Sequence, residues 1–260
     1  MAPGNRNLLR ISMDNNEKSF DKQCCSYGEG YTGTLKLRSA MAKHLNAHFR
    51  PAQAIDAEEI TFAAGVTSLN EACALIFCDP GDAIMLVSPV YGAFNRDLST
   101  RTRIHLEYIS VGDADQFSPE CIAALDAEFE AARARGTNIK ALIICNPHNP
   151  LGRCYPRETL IMLLRICASK GIHLISDEIY ALSVYNRYDR PSEKFTSVRS
   201  IDFTDIINPT QVHILYGLSK VKLSDHDISR MNNGTNAQES GLRCKWNATR
   251  LCSIPKSRIY

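Results

Sequence analysis

Short apolar runs alternate with longer segments of helical periodicity along most of this 260-residue chain. The runs that predict strands span residues 83–87, 103–111, 140–145, 172–176 and 212–215. Apolar residues at helical spacing predict helices over residues 67–78 and 157–170, the second ending at Gly171. Strands separated by helices of this length cannot pair as hairpins. The pattern therefore predicts an α/β fold with a mostly parallel sheet and right-handed crossovers.

A further helix is predicted between Ser118 and Gly136. Ser118 is expected to supply a hydroxyl for the N-cap, Pro119 suits the first turn, and Glu120 suits the positive end of the helix dipole. Gly136 is expected to end the helix, because glycine readily adopts the left-handed conformation found after a helix.

The composition is that of a globular protein, with 44% hydrophobic and 22% charged residues. A net charge of +2 is too small to indicate a nucleic-acid or membrane partner. No run approaches the ~18 apolar residues of a membrane span, and the first 20 residues lack the apolar core of a signal peptide. We expect the partners to be small molecules or a second copy of the chain, and we predict no metal site.

The ten cysteines lie mostly in apolar runs and form no CxxC pair. This distribution is typical of buried, reduced thiols, because disulfides form chiefly in oxidising compartments. It predicts a cytoplasmic protein.

Polar groups follow three of the predicted strands directly. Residues 146–152 follow the strand 140–145, residues 177–180 follow the strand 172–176, and residues 216–220 follow the strand 212–215. In open parallel sheets, ligands bind beyond the carboxyl ends of the strands. We therefore expect these three groups to meet at one edge of the sheet.

These groups contain what is needed to hold an electron-poor pyridine ring as an imine: an amine, an acid and hydrogen-bond donors. Lys220 is the candidate amine, and its alternative is a solvated surface charge. Asp177 is the candidate partner of a protonated ring nitrogen, and its alternative is a helix cap. Tyr180 and Asn149 are candidate donors to a ring oxygen; their alternatives are a half-buried aromatic residue and an ordinary turn.

An anion site is predicted where the helix 67–78 begins. Small residues at 64–68 allow backbone amides to approach an anion, and the helix dipole adds partial positive charge. Many helices begin with Gly, Thr and Ser, so this signal is weak by itself. Tyr91 is a candidate to stack on the ring face.

The order and spacing of these motifs resemble the class I/II aminotransferases of fold type I, which depend on pyridoxal 5′-phosphate (PLP). The motifs that carry the resemblance are NPHNPLG at 146–152, SDEIY at 176–180 and SK at 219–220. Three further motifs are closest to the branch of 1-aminocyclopropane-1-carboxylate (ACC) synthases and their fungal relatives: YGEGYTG at 27–33, AGVTSLNE at 64–71 and PVYGAFNRDL at 89–98. The resemblance covers residues 27–220.

The resemblance implies a three-layer α/β sandwich that acts on an amino acid, by amino-group transfer or by the α,γ-elimination that makes ACC. Lys220 would form a Schiff base with PLP and move the substrate's α-proton, beside Ser219. Asp177 would pair with the pyridinium nitrogen, and Asn149 and Tyr180 would bond the ring oxygen. The remaining implied contacts are stacking by Tyr91, phosphate binding by the amides of Val66 and Thr67, and contact of Tyr31 with the phosphate of a neighbouring subunit. That last contact implies a homodimer.

The family pattern changes after Lys220. The piece Ser240-Gly241-Leu242-Arg243 resembles the family's phosphate-binding motif, but it follows the lysine at a longer interval than in the family. We interpret residues 221 to about 237 as translated intron sequence. The expected organisation is an N-terminal arm (1–26), a PLP-binding large domain (27–220) and a divergent, disordered or mis-translated tail (221–260), with the C-terminal small domain missing.

The sequence leaves two alternatives to the enzyme to compare. A catalytically inactive fragment, which binds PLP or dimerises with a full-length relative, stays open. A nucleotide-binding protein is disfavoured, because no GxGxxG motif follows any predicted strand.

Overall fold

The computed structural model describes residues 30–184, 194–220 and 249–252, the last by its backbone alone. The helices are α1 (Leu35–Phe49), α2 (Val66–Phe77), α3 (Phe94–Ser99), α4 (Cys121–Ala134) and α5 (Arg157–Lys170). The strands are β1 (Thr61–Ala64), β2 (Ala83–Val87), β3 (His105–Ile109), β4 (Ile139–Cys145), β5 (His173–Asp177), β6 (Val212–Gly217) and β7 (Thr249–Cys252). Short 3₁₀ turns include Ala57–Glu59, Val198–Ser200 and Leu218–Lys220.

These strands form one sheet in the order β1-β7-β6-β5-β4-β2-β3. The neighbours from β6 to β3 are all parallel, whereas β7 is antiparallel to both β1 and β6. The mostly parallel sheet expected from the alternation of strands and helices is therefore confirmed.

Helices cover both faces of the sheet. One buried cluster joins α1, α4 and α5 to the sheet, and a second joins α2 and α3 to its other face. In β4, Leu142 and Ile144 belong to the first cluster and Ala141 and Ile143 to the second, all at most 2% exposed. Burial of each larger side chain contributes about 2 kcal/mol. Burial on both faces is the reason that this strand reads as a continuous apolar run.

The end of α5 agrees with its prediction from the sequence, whereas the start of α4 does not. Gly171 ends α5 with φ 67° and donates its amide to Ala168, as the sequence predicted. The predicted N-cap at Ser118 is wrong, because the Ser118 hydroxyl donates to the carbonyl of Asp115. Helix α4 begins later, after Glu120, and has no side-chain cap.

Side-chain burial supports the interpretation of the cysteines. Six of the ten lie where side chains are described, and all six are buried: Cys73, Cys78, Cys121, Cys145, Cys154 and Cys167. Within the described ranges, no helix combines the length and the hydrophobicity that crossing a membrane requires.

Candidate functional site

The carboxyl ends of β4, β5 and β6 lie side by side. Cys145 is opposite Asp177, and Asp177 is opposite Leu215. Beyond the strands, Asn146 donates its amide to the Asp177 carbonyl (2.8 Å) and Glu178 donates its amide to the Leu215 carbonyl (2.7 Å). The polar segments that follow these three strands therefore begin at the same edge of the sheet.

Asp177 is the last residue of β5 and is 5% exposed. Side chains alternate along a strand, so Asp177 lies on the same face as Ile175, the face covered by α2 and α3. Its Oδ1 accepts a hydrogen bond from the amide of Ile179 (3.1 Å). This bond orients the carboxylate at the end of the strand.

Asn149 and Tyr180 meet at this edge. The Nδ2 of Asn149 donates to the hydroxyl of Tyr180 over a long 3.4 Å. Burial is the main cause that raises the pKa of Tyr180; the proximity of Cys145, Asp177 and Tyr91 raises it further, whereas the bond from Asn149 lowers it. Tyr180 is therefore a neutral hydroxyl near neutral pH and can donate a hydrogen bond.

Tyr91 lies near this group and is 37% exposed. Its ring packs edge-on against Phe94 of α3, with centroids 5.4 Å apart and planes at 88°. Such an edge-to-face contact is a favoured geometry for aromatic pairs and sets the plane of the Tyr91 ring.

Lys220 ends the 3₁₀ turn that follows β6, and both Lys220 and Ser219 are exposed. The hydroxyl of Ser183 donates to the carbonyl of Lys220 (2.8 Å), and the amide of Ser183 donates to the carbonyl of Tyr180 (2.8 Å). The backbone of Lys220 is thereby linked to the turn that carries Tyr180. Sequence analysis did not identify Ser183, because nothing in the pattern around it marks this contact.

The first turn of α2 follows β1 through Gly65. Gly65 has φ 107°, a conformation that favours glycine, and no side chain caps the helix. The first amides of a helix have no acceptor within the helix, so those of Val66 and Thr67 are available to an anion. The Thr67 hydroxyl itself donates to Asp97 (3.1 Å). The candidate groups for an anion are therefore the backbone amides rather than this hydroxyl.

Tyr31 lies on a segment that runs beside β1. Its side chain is 88% exposed. The amide of Phe62 donates to Thr32 (2.9 Å), and Nε of the buried Arg38 donates to the carbonyl of Gly33 (3.0 Å). The two residues that follow Tyr31 are therefore held by hydrogen bonds, while Tyr31 itself is exposed.

One candidate is not placed. Arg243, the candidate phosphate-binding arginine, lies outside the described residues.

Two buried polar residues beside the site were missed. Asn146 is 0% exposed and donates from Nδ2 to the carbonyl of Thr196 (2.9 Å). Glu178 is also 0% exposed, and burial raises its pKa to about 7. An acid directly after Asp177 is visible in the sequence, but its burial depends on residues 196–198, which are distant in sequence.

The comparison with protein families identifies the chain. The family described as aminotransferase class I and II matches residues 12–221. This chain belongs to that family. The family match confirms the resemblance drawn from the motifs at 146–152, 176–180 and 219–220.

Two relatives illustrate the position of the chain within the aminotransferase family. A probable aminotransferase, tcpI, of Claviceps purpurea is 38% identical over 205 residues, which are 78% of this chain and 47% of that protein. A 1-aminocyclopropane-1-carboxylate synthase of Nicotiana tabacum is 38% identical over 194 residues, which are 74% of this chain and 38% of that protein. The chain thus spans less than half the length of these relatives.

Solved structures share the fold. An aspartate aminotransferase from Rhodobacter sphaeroides superposes with a TM-score of 0.65 at 20% identity, over 96% of this chain and 53% of that one. Cystalysin from Treponema denticola, which contains pyridoxal 5′-phosphate, superposes with a TM-score of 0.61 at 21% identity, over 86% of this chain and 48% of that one. The predicted α/β fold of a PLP-dependent aminotransferase is confirmed.

Proposed function

We propose that the protein binds PLP at the edge formed by β4, β5 and β6 and uses it to transform an amino acid, with Lys220 carrying the cofactor. The transformation is amino-group transfer or ACC-synthase-like elimination. The observation that carries the proposal is the convergence of Asp177, Asn149 and Tyr180, together with the backbone of Lys220, in a member of the aminotransferase family.

The burial of Asp177 supports its role at the ring nitrogen. A carboxylate that is 5% exposed is costly unless a cation or hydrogen bonds compensate it. A protonated pyridine nitrogen is such a cation, and the bond from Ile179 already orients one carboxylate oxygen. When bound, PLP supplies an electron-withdrawing ring that stabilises negative charge at the α-carbon of an amino acid. In this proposal, Asp177 keeps the ring nitrogen protonated.

The start of α2 supports a phosphate site. The amides of Val66 and Thr67 lie in an uncapped first turn of a 12-residue helix, where the dipole favours an anion by about 0.3–1 kcal/mol. These amides would hold the phosphate of the cofactor. Arg243 would add a charged contact, as the motif resemblance implies.

The hydrogen-bond donors and the aromatic ring have complementary tasks. Tyr180 stays protonated and donates to the ring oxygen of the cofactor, and Asn149 donates to the same oxygen from its amide. Tyr91, whose plane is set by Phe94, stacks on the ring. These contacts orient the ring relative to Lys220, which removes the α-proton of the substrate through its Nζ. Such orientation is a principal source of rate enhancement.

The assembly proposed is a homodimer. Tyr31 is 88% exposed on a segment held by Arg38, which suits a side chain that reaches the phosphate site of a second copy. The arm (1–26), the cofactor-binding domain (27–220) and the tail (221–260) remain part of this proposal, and the cytoplasmic location remains a prediction.

The alternative is a PLP-binding or dimerising fragment without catalysis. The observation that favours it is the coverage of the relatives, 47% of the tcpI aminotransferase and 38% of the Nicotiana tabacum synthase. Residues that hold the substrate in those proteins can lie in the part that this chain does not match.

Absorption spectroscopy of the purified protein with PLP tests the proposal. We expect a visible band of lysine-bound cofactor that Lys220→Ala abolishes and Lys36→Ala, a change at an exposed lysine of α1, leaves intact. Borohydride reduction followed by peptide mass spectrometry should then find the cofactor on Lys220. Absence of the band from the wild-type protein contradicts the proposal.

Product analysis separates the two functions. With amino-acid substrates, release of a 2-oxo acid indicates amino-group transfer, and release of ACC indicates the elimination. A cofactor band without either product favours the inactive fragment.

A further inference from the structure

Glu178 follows Asp177 but is buried away from it. Its carboxyl Oε1 accepts from the hydroxyl of Ser176 (3.0 Å) and from the amide of Val198 (2.9 Å). Ser176 precedes Asp177 in β5, so the two side chains lie on opposite faces of the sheet. The Glu178 carboxyl, bonded to Ser176, therefore does not reach the face on which Asp177 lies.

The carboxyl of Glu178 holds a segment that crosses the strand ends. Val198, whose amide bonds Glu178, follows Ser197, and the carbonyl of Thr196 accepts from Nδ2 of Asn146 (2.9 Å). Ser197 and Val198 are at most 1% exposed. Two side chains, from the ends of β4 and β5, thus fasten residues 196–198 against the sheet.

The backbone of residue 178 makes two further hydrogen bonds next to these side-chain contacts. Its amide donates to the Leu215 carbonyl of β6 (2.7 Å), and its carbonyl accepts from Ala181 (3.0 Å). The next amide, that of Ile179, is the donor to Oδ1 of Asp177 (3.1 Å). The direction of the Asp177 carboxylate therefore depends on the backbone that the Glu178 side chain anchors.

We propose that Glu178 is a positioning residue for Asp177: its buried carboxyl anchors the backbone turn whose Ile179 amide orients the Asp177 carboxylate. The consequence for cofactor binding rests on the proposed function. Oε2 of Glu178 has no hydrogen-bond partner in the described part of the chain. A side chain that keeps only the Oε1 acceptor therefore keeps the anchoring contacts.

Glu178→Ala and Glu178→Gln test this role in the full chain. The alanine variant loses the acceptor, whereas glutamine keeps an oxygen acceptor of the same reach. We measure amide hydrogen exchange of Ile179 by NMR in the free protein, and the dissociation constant of PLP by absorption. Glu128→Ala, a change at an exposed residue of α4, is the control.

We expect Glu178→Ala to raise the Ile179 exchange rate and to weaken PLP binding by about tenfold, the effect of one lost hydrogen bond. Glu178→Gln should restore both to within about twofold of the wild type. A purely structural role would raise exchange at Val198 but leave Ile179 and the PLP affinity unchanged, and that result overturns the proposal.

Two further outcomes are decisive. If the wild-type protein binds no PLP, the proposed function fails, while the exchange rate of Ile179 still decides the positioning role. If Glu178→Ala does not fold, Ser176→Ala removes the hydroxyl donor to the carboxyl with little change in volume. Faster exchange at Ile179 in that variant supports the proposal, and unchanged exchange overturns it.

Discussion

The hydroxyl of Thr67 in α2 donates to the carboxylate of Asp97 in α3 over 3.1 Å, and Asp97 is 7% exposed. The bond joins the start of α2, where the proposed phosphate site lies, to the next helix along the chain. The Thr67 hydroxyl bonds Asp97, whereas the proposed anion site uses backbone amides. The effect of the hydroxyl on stability can therefore be measured separately from the effect of the amides on anion binding.

Thr67→Ala should lower the free energy of unfolding by about 1–3 kcal/mol, because it removes the hydrogen bond to a buried carboxylate. Thr67→Ser keeps the hydroxyl and should recover most of the loss. PLP affinity should change little in either variant, since the backbone amides remain. Urea denaturation and a PLP titration check both statements, and a large loss of affinity with unchanged stability would contradict them.

The stability of the protein should depend on pH through Glu178. Burial raises its pKa from 4.5 to about 7, so the folded state favours the protonated carboxyl. A raised pKa contributes stability that is fully present below pH 4.5 and is lost as pH rises through about 7. The free energy of unfolding that is lost in this way is about 3 kcal/mol at most.

The glutamine side chain of the Glu178→Gln variant cannot ionise, so this variant should not lose stability in this pH range. Relative to the wild type, its free energy of unfolding should therefore increase between pH 5 and about 8. Denaturation at several pH values measures the difference, and parallel curves for the two proteins would show that Glu178 does not titrate in this window.

Asp177→Asn should weaken PLP binding by about 3–5 kcal/mol, because a neutral amide leaves the protonated ring nitrogen without its buried partner. Inorganic phosphate is the control ligand. Its affinity should stay unchanged, because the amides of Val66 and Thr67 lie on a different element. Equal PLP affinity of both proteins would show that Asp177 does not contact the ring nitrogen.

Subunit mixing tests the place of Tyr31. Tyr31→Phe should weaken PLP binding in the homodimer, because it removes the hydroxyl that this proposal places at the phosphate of the neighbouring subunit. A mixed dimer of Tyr31→Phe and Lys220→Ala subunits contains one site with both residues intact. Titration should therefore recover wild-type affinity in a fraction of the sites. No recovery would indicate that Tyr31 acts within its own subunit.

The sequence by itself determined the α/β class, the positions of five of the seven described strands (β2 to β6) and the membership in the aminotransferase family. The apolar run 140–145 is a local signal. It is continuously apolar because both faces of β4 are buried. The motifs at 146–152, 176–180 and 219–220 are equally local, so their order was readable without a fold.

Only the tertiary structure decided which polar groups are buried and what they hold. Ser118 has the residue type of a helix cap, yet its hydroxyl bonds Asp115. Glu178 lies beside Asp177 in the chain, but its burial depends on Ser176, Ser197 and Val198. Similarly, the contact of Ser183 with Lys220 joins residues 37 positions apart. The contacts of Glu178 and Ser183 form where separate strands end at one edge of the sheet, and the local sequence does not show which distant segments meet there.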